Sequence, residues 1–248
     1  MIIKLDKIDS TNRYALREFA NLADDSLIIA DTQDAGRGRR GKSWFSPPGL
    51  NLYASYVFKK PDFPAYKSLW ICGLAGLQTI RETAPNIDIW LKWPNDIYCT
   101  PKNDPDAKLK IAGLLAETYA PPNSNEITGI VAGIGINLNM KQEDIEKIDK
   151  PATSLLIETE QAINIAKFAE KLLQNLKQFR TLAENEEEGF FQQWLEENWL
   201  LNKEVTLRQD NGIAISGKIN GFSRRGEMIL CTKNGTLHNI MTGELESF

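Results

Sequence analysis

The sequence predicts an α+β protein: strands and packed helices over residues 1–200, followed by a small β-barrel-like unit over 201–248. Three observations carry this. Segments 110–119 and 126–137 are apolar runs of strand-forming residues, separated by the turn material Pro121-Pro122-Asn123-Ser124-Asn125. Ala166, Phe168, Ala169, Leu172, Leu173, Leu176, Phe179 and Leu182 recur at helical spacing and mark a long amphipathic helix over 163–183. Beyond about residue 200 the chain changes to short strands punctuated by Asp210-Asn211-Gly212, Arg224-Arg225-Gly226 and Asn234-Gly235, which read as hairpin turns.

Taken in order, residues 1–9 are short and mixed, and Ser10-Thr11-Asn12 is a helix-start signal. Leu16, Phe19, Ala20 and Ala23 then follow helical spacing, so a helix of about three turns runs to the Asp24-Asp25 pair. A buried strand over 27–30 delivers Asp31, Thr32 and Gln33 to the rim of a glycine-rich loop. Beyond that loop, 52–58 reads as a returning strand. Residues 67–81 form a core helix, with Leu69, Trp70, Leu74, Leu77 and Ile80 on one face and Gly73 and Gly76 allowing close packing. Strands over 89–93 and 97–99 are broken by Pro94-Asn95-Asp96, and the polar run 100–108 is an exposed hairpin tip. Gly129, Gly133 and Gly135 interrupt the 126–137 strand. Either a ligand or a tightly packed helix approaches the backbone there, and sequence leaves both open. Phe190, Phe191, Trp194, Leu195 and Trp199 make a further helical face, and the acidic run 184–188 is a solvated helix end.

The loop over 36–46, GRGRRGKSWFS, packs three glycines and four cations into eleven residues, a composition suited to holding an anion against backbone N–H groups. It satisfies both the dinucleotide pattern G-x-G-x-x-G and the phosphate-loop pattern G-x-x-x-x-G-K-[ST]. Each of those mechanisms needs a helix to begin at the loop, with its positive end facing phosphate. Here the chain runs into Pro47 and Pro48, which disfavour a helix. The remaining readings are a mobile basic surface loop, or an anion-binding loop that folds over its ligand.

Net charge is -4 over 248 residues, so the cations Arg37, Arg39, Arg40 and Lys42 make a local site and not a nucleic-acid-coating surface. Cys72, Cys99 and Cys231 are odd in number and widely spaced, which fits packing roles in a reducing compartment and makes neither a disulfide framework nor a zinc pattern. With no leader-like segment and no long apolar run, the expected location is cytoplasmic, with no membrane partner. The single histidine, His238, leaves histidine-base, triad and histidine-metal chemistry poorly supplied. Arginines, Lys92 and Lys110, an aspartate and backbone amides form a sensible set for nucleotidyl transfer, where catalysis is mostly positioning and charge stabilisation.

Ser10-Thr11-Asn12, Gln33, GRGRRGKSWFSP over 36–47, LKWPND over 91–96, KIAGLLAE over 110–117 and GIGINLN over 133–139 resemble, in this order, the motif set of biotin–protein ligases. The resemblance spans about residue 6 to about residue 157, and the segment ending MTGELES is similar to that family's C-terminal cap. It implies a class II synthetase-like catalytic domain over 1–200, built on a mixed sheet, and an SH3-like β-barrel over 201–248. It also implies ATP-dependent formation of biotinyl-5′-AMP and transfer of biotin to a lysine of a biotin carboxyl carrier protein, with Mg²⁺ accompanying ATP.

By the same resemblance, Ser10, Thr11, Asn12 and Gln33 line the biotin pocket, with Gly38, Gly133 and Gly135 beside the ligand. Arg37 and Arg40 belong to the adenylate loop, Trp44 flanks the adenine, and Asn95 and Asn137 lie near the nucleotide. Asp96 is the Mg²⁺ ligand, and Lys110 and Arg39 act on the carboxylate and α-phosphate. The segment between Asp96 and Lys110 is longer than the family pattern, and Ser10 lies close to the first residue, which implies a monofunctional ligase without a DNA-binding helix-turn-helix, as monomer or homodimer. Two rivals differ in class: a lipoate ligase, for which a Ser-Gly-Gly-Gly run would be expected and is absent, and an RNA-binding protein using the arginine loop and aromatics as a stacking platform.

Overall fold

The computed structural model describes residues 1–209 and 212–248. The chain enters on β1 (Ile2–Ile8), turns through α1 (Thr11–Arg17) and returns as β2 (Leu27–Gln33), parallel to β1. After the glycine-rich loop come β3 (Leu52–Lys59) and α2 (Ala65–Thr83). The strands β4 (Asp88–Lys92), β5 (Asp96–Thr100), β6 (Leu109–Tyr119) and β7 (Gly129–Ile136) then meander antiparallel. Two short helices, α3 (Gln142–Ile145) and α4 (Leu155–Thr159), lead to α5 (Ile165–Asn185) and α6 (Glu187–Glu196). The last strands are β8 (Glu204–Arg208), β9 (Ala214–Phe222), β10 (Met228–Cys231), β11 (Leu237–Ile240) and β12 (Glu244–Ser247).

The first seven strands form one mixed sheet in the order β1-β2-β3-β7-β6-β5-β4. Side chains alternate across a strand, so each strand feeds two different cores. Leu27, Ile29, Ala54, Tyr56, Phe58, Ala132 and Ile134 face α2 and α5 in the large core, and Ile28, Val57 and Val131 face Ala15, Phe19 and Leu22 of the α1 region in a smaller one. The side bearing α1 is the side on which the site is built.

Three local expectations differ from what forms. Residues 2–8 are a strand that periodicity does not reveal, because β1 is an edge strand without a fully buried position. The first helix ends at Arg17, so the turn that follows re-aims the chain to bury Phe19 and Leu22 while Ala20 and Ala23 stay exposed. Trp199 lies beyond α6 and stacks on Trp90, with ring centroids 4.6 Å apart.

The expected SH3-like β-barrel does not form. The five C-terminal strands make an open antiparallel sheet, β11-β10-β9-β8-β12, and among the described residues β11 and β12 are edges that do not pair with each other. Only residues 241–243 join these strands, so their facing ends lie within about 14 Å. The sheet therefore curls without closing, and the joining turn sends Thr242 and Glu244 to side chains of the glycine-rich loop instead of seating the two edges together. Of the Asp210-Asn211-Gly212 turn, the first two positions lie outside the described residues. The two sheets share one apolar cluster, through Trp70, Trp194 and Phe222.

Candidate active site

Register places the site's floor. On β6, Gly113, Leu115 and Glu117 share the α1 side of the sheet. Opposite them on β7 stand Gly135, Gly133 and Val131, and Ser55 of β3 pairs with Gly133 from the other side. Packing accounts for Gly129, and side chains of the α1 opening and of the loop stand over Gly133 and Gly135. A Cβ on Gly129 would lie 1.9 Å from the Phe19 ring, which is packing against the α1 region. One on Gly133 would lie 2.6 Å from Asn12 Oδ1, and one on Gly135 2.5 Å from the Trp44 indole, so those two glycines make room for side chains of the site.

The opening of α1 supplies the polar wall. Ser10, Thr11 and Asn12 are all buried, and Ser10 makes no side-chain cap to the helix, so capping does not account for its place. Thr11 donates from N (2.9 Å) and Oγ1 (3.2 Å) to Gln33 Oε1. Gln33 Nε2 donates to Ser46 Oγ (3.0 Å), which donates to the Trp44 carbonyl (2.9 Å). The Ser55 hydroxyl lies 2.8 Å from Thr11 Oγ1 and 2.5 Å from Asn12 Oδ1, and its one proton serves either. Asn12 Nδ2 donates to Leu115 O (3.1 Å) and to Glu117 Oε2 (2.9 Å). The α1 start and the foot of the loop are thus one hydrogen-bonded unit.

No helix begins at the loop. Lys42 is extended, and the only helical turn is a three-residue 3-10 segment over Arg39–Gly41, with Arg40 at φ 56° and Gly41 at φ 72°. Both nucleotide patterns therefore lack the element they require. The loop is instead a narrow hairpin: Arg37 bridges Ser43, Gly38 N donates to Lys42 O (2.7 Å) and Trp44 N to Gly36 O (2.9 Å). That shape throws its cations in different directions. Arg37 reaches Glu117 (2.5 Å), Arg39 reaches Asn95 Oδ1 (3.0 Å) and Thr242 Oγ1 (2.7 Å), Arg40 reaches Thr242 Oγ1 (3.2 Å), and Lys42 reaches Glu244 (2.8 Å).

Trp44 lies over the Gly113–Gly135 pair, and a Cβ on Gly113 would be 2.8 Å from its ring. Lys110 reaches forward along β6 towards Gly113, placing Nζ 5.3 Å from the Trp44 ring centroid and 2.6 Å from Asp96 Oδ1. Asn95 Nδ2 donates to Leu114 O (2.8 Å), fixing the turn that carries both Asn95 and Asp96. Arg39, Asn95, Asp96, Lys110 and Trp44 therefore converge. Trp44 Nε1 and Arg37 Nε are buried and have no hydrogen-bond partner among the described residues, which leaves two donors for a ligand.

Asn137 is not part of this group. Its amide donates to Thr153 O (3.0 Å) and braces the segment against which the backbone of Lys110 is bonded. Arg40 is directed to the C-terminal turn, and Gly38 serves the hairpin. A cavity of about 800 Å³ opens between residues 101–109 and 142–160, and no residue of the arginine loop lines it.

Ser55, Glu117, Thr242 and Glu244 are the members that the sequence reading missed. Ser55 could have been noticed as the one aliphatic hydroxyl in the run LYASYVF, and Glu117 as the acid two alternations along from Gly113. Nothing local marks Thr242 or Glu244.

Lys92 is buried beside the group, and desolvation pushes its ammonium down to about 8, against the opposing pull of Asp96. Its Nζ lies 4.0 Å from the Phe248 ring centroid. Glu244, hydrogen-bonded by Lys150 and Lys42, is held down at about 2. No group of three or more His, Cys, Asp and Glu side chains suited to a metal ion occurs among the described residues.

Residues 5–137 match the sequence profile of the Biotin/lipoate A/B protein ligase family. The chain is 30% identical over 247 residues to the bifunctional ligase/repressor BirA of Escherichia coli (strain K12), covering 97% of this chain and 72% of that protein. It is 32% identical over 175 residues to the biotin–[acetyl-CoA-carboxylase] ligase of Mycobacterium tuberculosis, covering 68% and 59%. Among solved structures it resembles the biotin protein ligase from Aquifex aeolicus in complex with biotin and ATP, at TM-score 0.82 and 28% identity over 99% of this chain and 97% of that one.

Proposed function

This chain belongs to the Biotin/lipoate A/B protein ligase family, and we propose that the arginine loop, the opening of α1 and the Gly113–Gly135 floor together form the site at which it works. The protein is an ATP-dependent biotin–protein ligase: it activates biotin to biotinyl-5′-AMP and transfers the biotinyl group to a lysine. The convergence of Arg39, Asn95, Asp96, Lys110 and Trp44 beside the buried Thr11–Gln33 wall is the observation that carries the placement.

In the first step a biotin carboxylate oxygen attacks the α-phosphorus of ATP, the new P–O bond forms, and pyrophosphate leaves. The nucleophile arrives with the substrate, so the protein needs no activated Ser or Cys. Cys72 and Cys99 fit that economy: both are buried, and burial pushes both thiols up, away from thiolate chemistry. Lys110 and Arg39 neutralise charge growing on the α-phosphoryl and bridging oxygens, a donor role typically worth about 3 kcal/mol. For Lys110 this means leaving Asp96 for the phosphate.

In the second step a neutral lysine amine attacks the carbonyl carbon of the mixed anhydride, and AMP leaves as the amide forms. Loop closure keeps water from that anhydride. Thr11, Asn12 and Gln33 hold the ureido end of biotin, while Trp44 stacks on the adenine.

The Mg²⁺ that accompanies ATP fits Asp96, since this ion takes one or two carboxylates together with substrate phosphates. It would supply charge neutralisation on those phosphates. The acceptor we assign is a biotin carboxyl carrier protein, the two-unit division falls at 200/201, the assembly is a monomer or homodimer, and the location is cytoplasmic. No helix among the described residues is long and apolar enough to cross a membrane.

Biotin-dependent ATP–pyrophosphate exchange, run beside a lipoate control, tests this reading. Exchange with biotin and not with lipoate supports it, and exchange with lipoate alone ends it.

A further inference from the structure

Glu117 carries no role in the chemistry above, yet it stands between its two halves. Its Oε2 accepts from Arg37 of the loop (2.5 Å) and from Asn12 of the pocket wall (2.9 Å), so a single oxygen holds two donors from segments 25 residues apart. The arrangement is largely shielded from solvent screening: 25% of the Glu117 side chain and 30% of the Arg37 side chain remain accessible. A carboxylate is the side chain that suits this position, because it is an acceptor only and has lone pairs for both partners. With Arg37 the bond is charge-assisted, which makes it roughly twice as strong as a neutral one.

Two features show what the arrangement aims. Arg37 commits one terminal nitrogen to Glu117 while its Nε is buried without a partner, a costly state for a donor unless a ligand accepts from it. Asn12 in turn is pressed against the bare backbone of Gly133, so it has little freedom to follow Arg37 if the link is cut.

We propose that Glu117 is a positioning residue that couples loop closure to an ordered biotin pocket, by holding Arg37 and Asn12 in one register. This rests on the site placement given above. Asn12, held in place against Gly133, fixes Glu117, and the guanidinium of Arg37 is fixed with it when the loop closes over the adenylate. No proton or bond changes hands at Glu117; it acts through Arg37.

The experiment measures three quantities on the full chain: the KM for biotin in ATP–pyrophosphate exchange, the rate at which preformed biotinyl-adenylate dissociates, and labelling of an unrelated lysine-rich protein. Wild type must first show biotin-dependent exchange; if it does not, the site placement fails before Glu117 is in question. Glu117→Gln keeps an acceptor for Asn12 and loses the charge facing Arg37. It is expected to raise adenylate release and bystander labelling about tenfold, with the KM for biotin within about twofold of wild type. Glu117→Ala loses both links and is expected to raise release and KM together. In an Arg37→Gln background the further change Glu117→Gln should add nothing to release, since both changes cut the same link.

Thermal unfolding separates this from a plain stability effect, and Glu117→Gln decides alone should the alanine variant unfold. Wild-type release and labelling in folded Glu117→Gln would overturn the proposal. So would full additivity with Arg37→Gln.

Discussion

Lys110 of β6 reaches diagonally to Asp96 of β5, whose ladder partner is Gly113, with Nζ and Oδ1 2.6 Å apart, an ion pair at the edge of the glycine floor. Under the proposed placement of the site, the pair holds the lysine where an incoming α-phosphate would take it over. Lys110→Ala is expected to lower biotin-dependent ATP–pyrophosphate exchange about a hundredfold, the loss typical of one such donor. The fold should survive, because the Nζ partner is polar and a quarter of the lysine side chain is accessible. Exchange at wild-type rate would remove Lys110 from the site.

Gly133 and Gly135 make separable demands. An alanine at 135 would put its Cβ 2.5 Å from the Trp44 indole, and one at 133 would put it 2.6 Å from Asn12 Oδ1. Displacements of about 1 Å in a site can cost up to a hundredfold in rate. Gly135→Ala is expected to act mainly on the KM for ATP and Gly133→Ala mainly on that for biotin, measured by varying each substrate in turn.

The C-terminal turn clasps the loop. Thr242 Oγ1 accepts from Arg39 and Arg40, and Glu244 accepts from Lys42 and Lys150. Thr242→Val keeps the shape and removes the acceptor, and it is expected to release biotinyl-adenylate early and label bystander lysines. Arg39→Gly should do so more strongly. The carboxyl of Glu244 is depressed to about 2, so its contribution is present above the ordinary value of 4.5 and fades as pH falls from there towards 2. Protection factors of the 36–46 loop amides, with the intrinsic pH dependence of exchange divided out, should fall over that window in wild type and stay flatter in Glu244→Gln.

Lys92 gives the opposite sign. Burial lowers its ammonium from 10.5 to about 8, so between these values the unfolded chain binds more protons and stability rises with pH. The cost of keeping the charge is fully present below about pH 8 and is on the order of 3 kcal/mol by linkage. Denaturant unfolding from pH 8 to 9 should show this rise in wild type, and Lys92→Met should flatten it. The window stops at 9 because the buried thiols of Cys72 and Cys99 are pushed upward, so ionisation of the unfolded thiols pulls the other way beyond it, and buried Tyr53, Tyr56 and Tyr98 add to that pull at higher pH.

How far sequence reached depended on whether a residue's partner lay nearby in the chain. The prolines at 47 and 48 were enough to exclude a helix at the loop, because that conflict is local, and the structure has Lys42 extended there. The 163–183 periodicity found α5 because one face of a long helix is buried whole. β1 escaped, since an edge strand with half-exposed positions leaves no alternation to read.

Open edges at β11 and β12 could not be told from a closed barrel, because hairpin turns specify neighbouring strands and say nothing about whether the first and last meet. In the site, the Arg39–Asn95 and Lys110–Asp96 contacts join residues already singled out by motif. Thr242 and Glu244 enter only through folding, from more than two hundred residues along the chain, while Glu117 is marked by nothing but its alternation from Gly113.

Pyrophosphate exchange into ATP, driven by biotin and followed in wild type beside Lys110→Ala, tests the placement of the site most directly. Brisk exchange that needs biotin, ignores lipoate and collapses with the alanine is the expected result. Exchange that proceeds equally well in both proteins would contradict the assignment of this site.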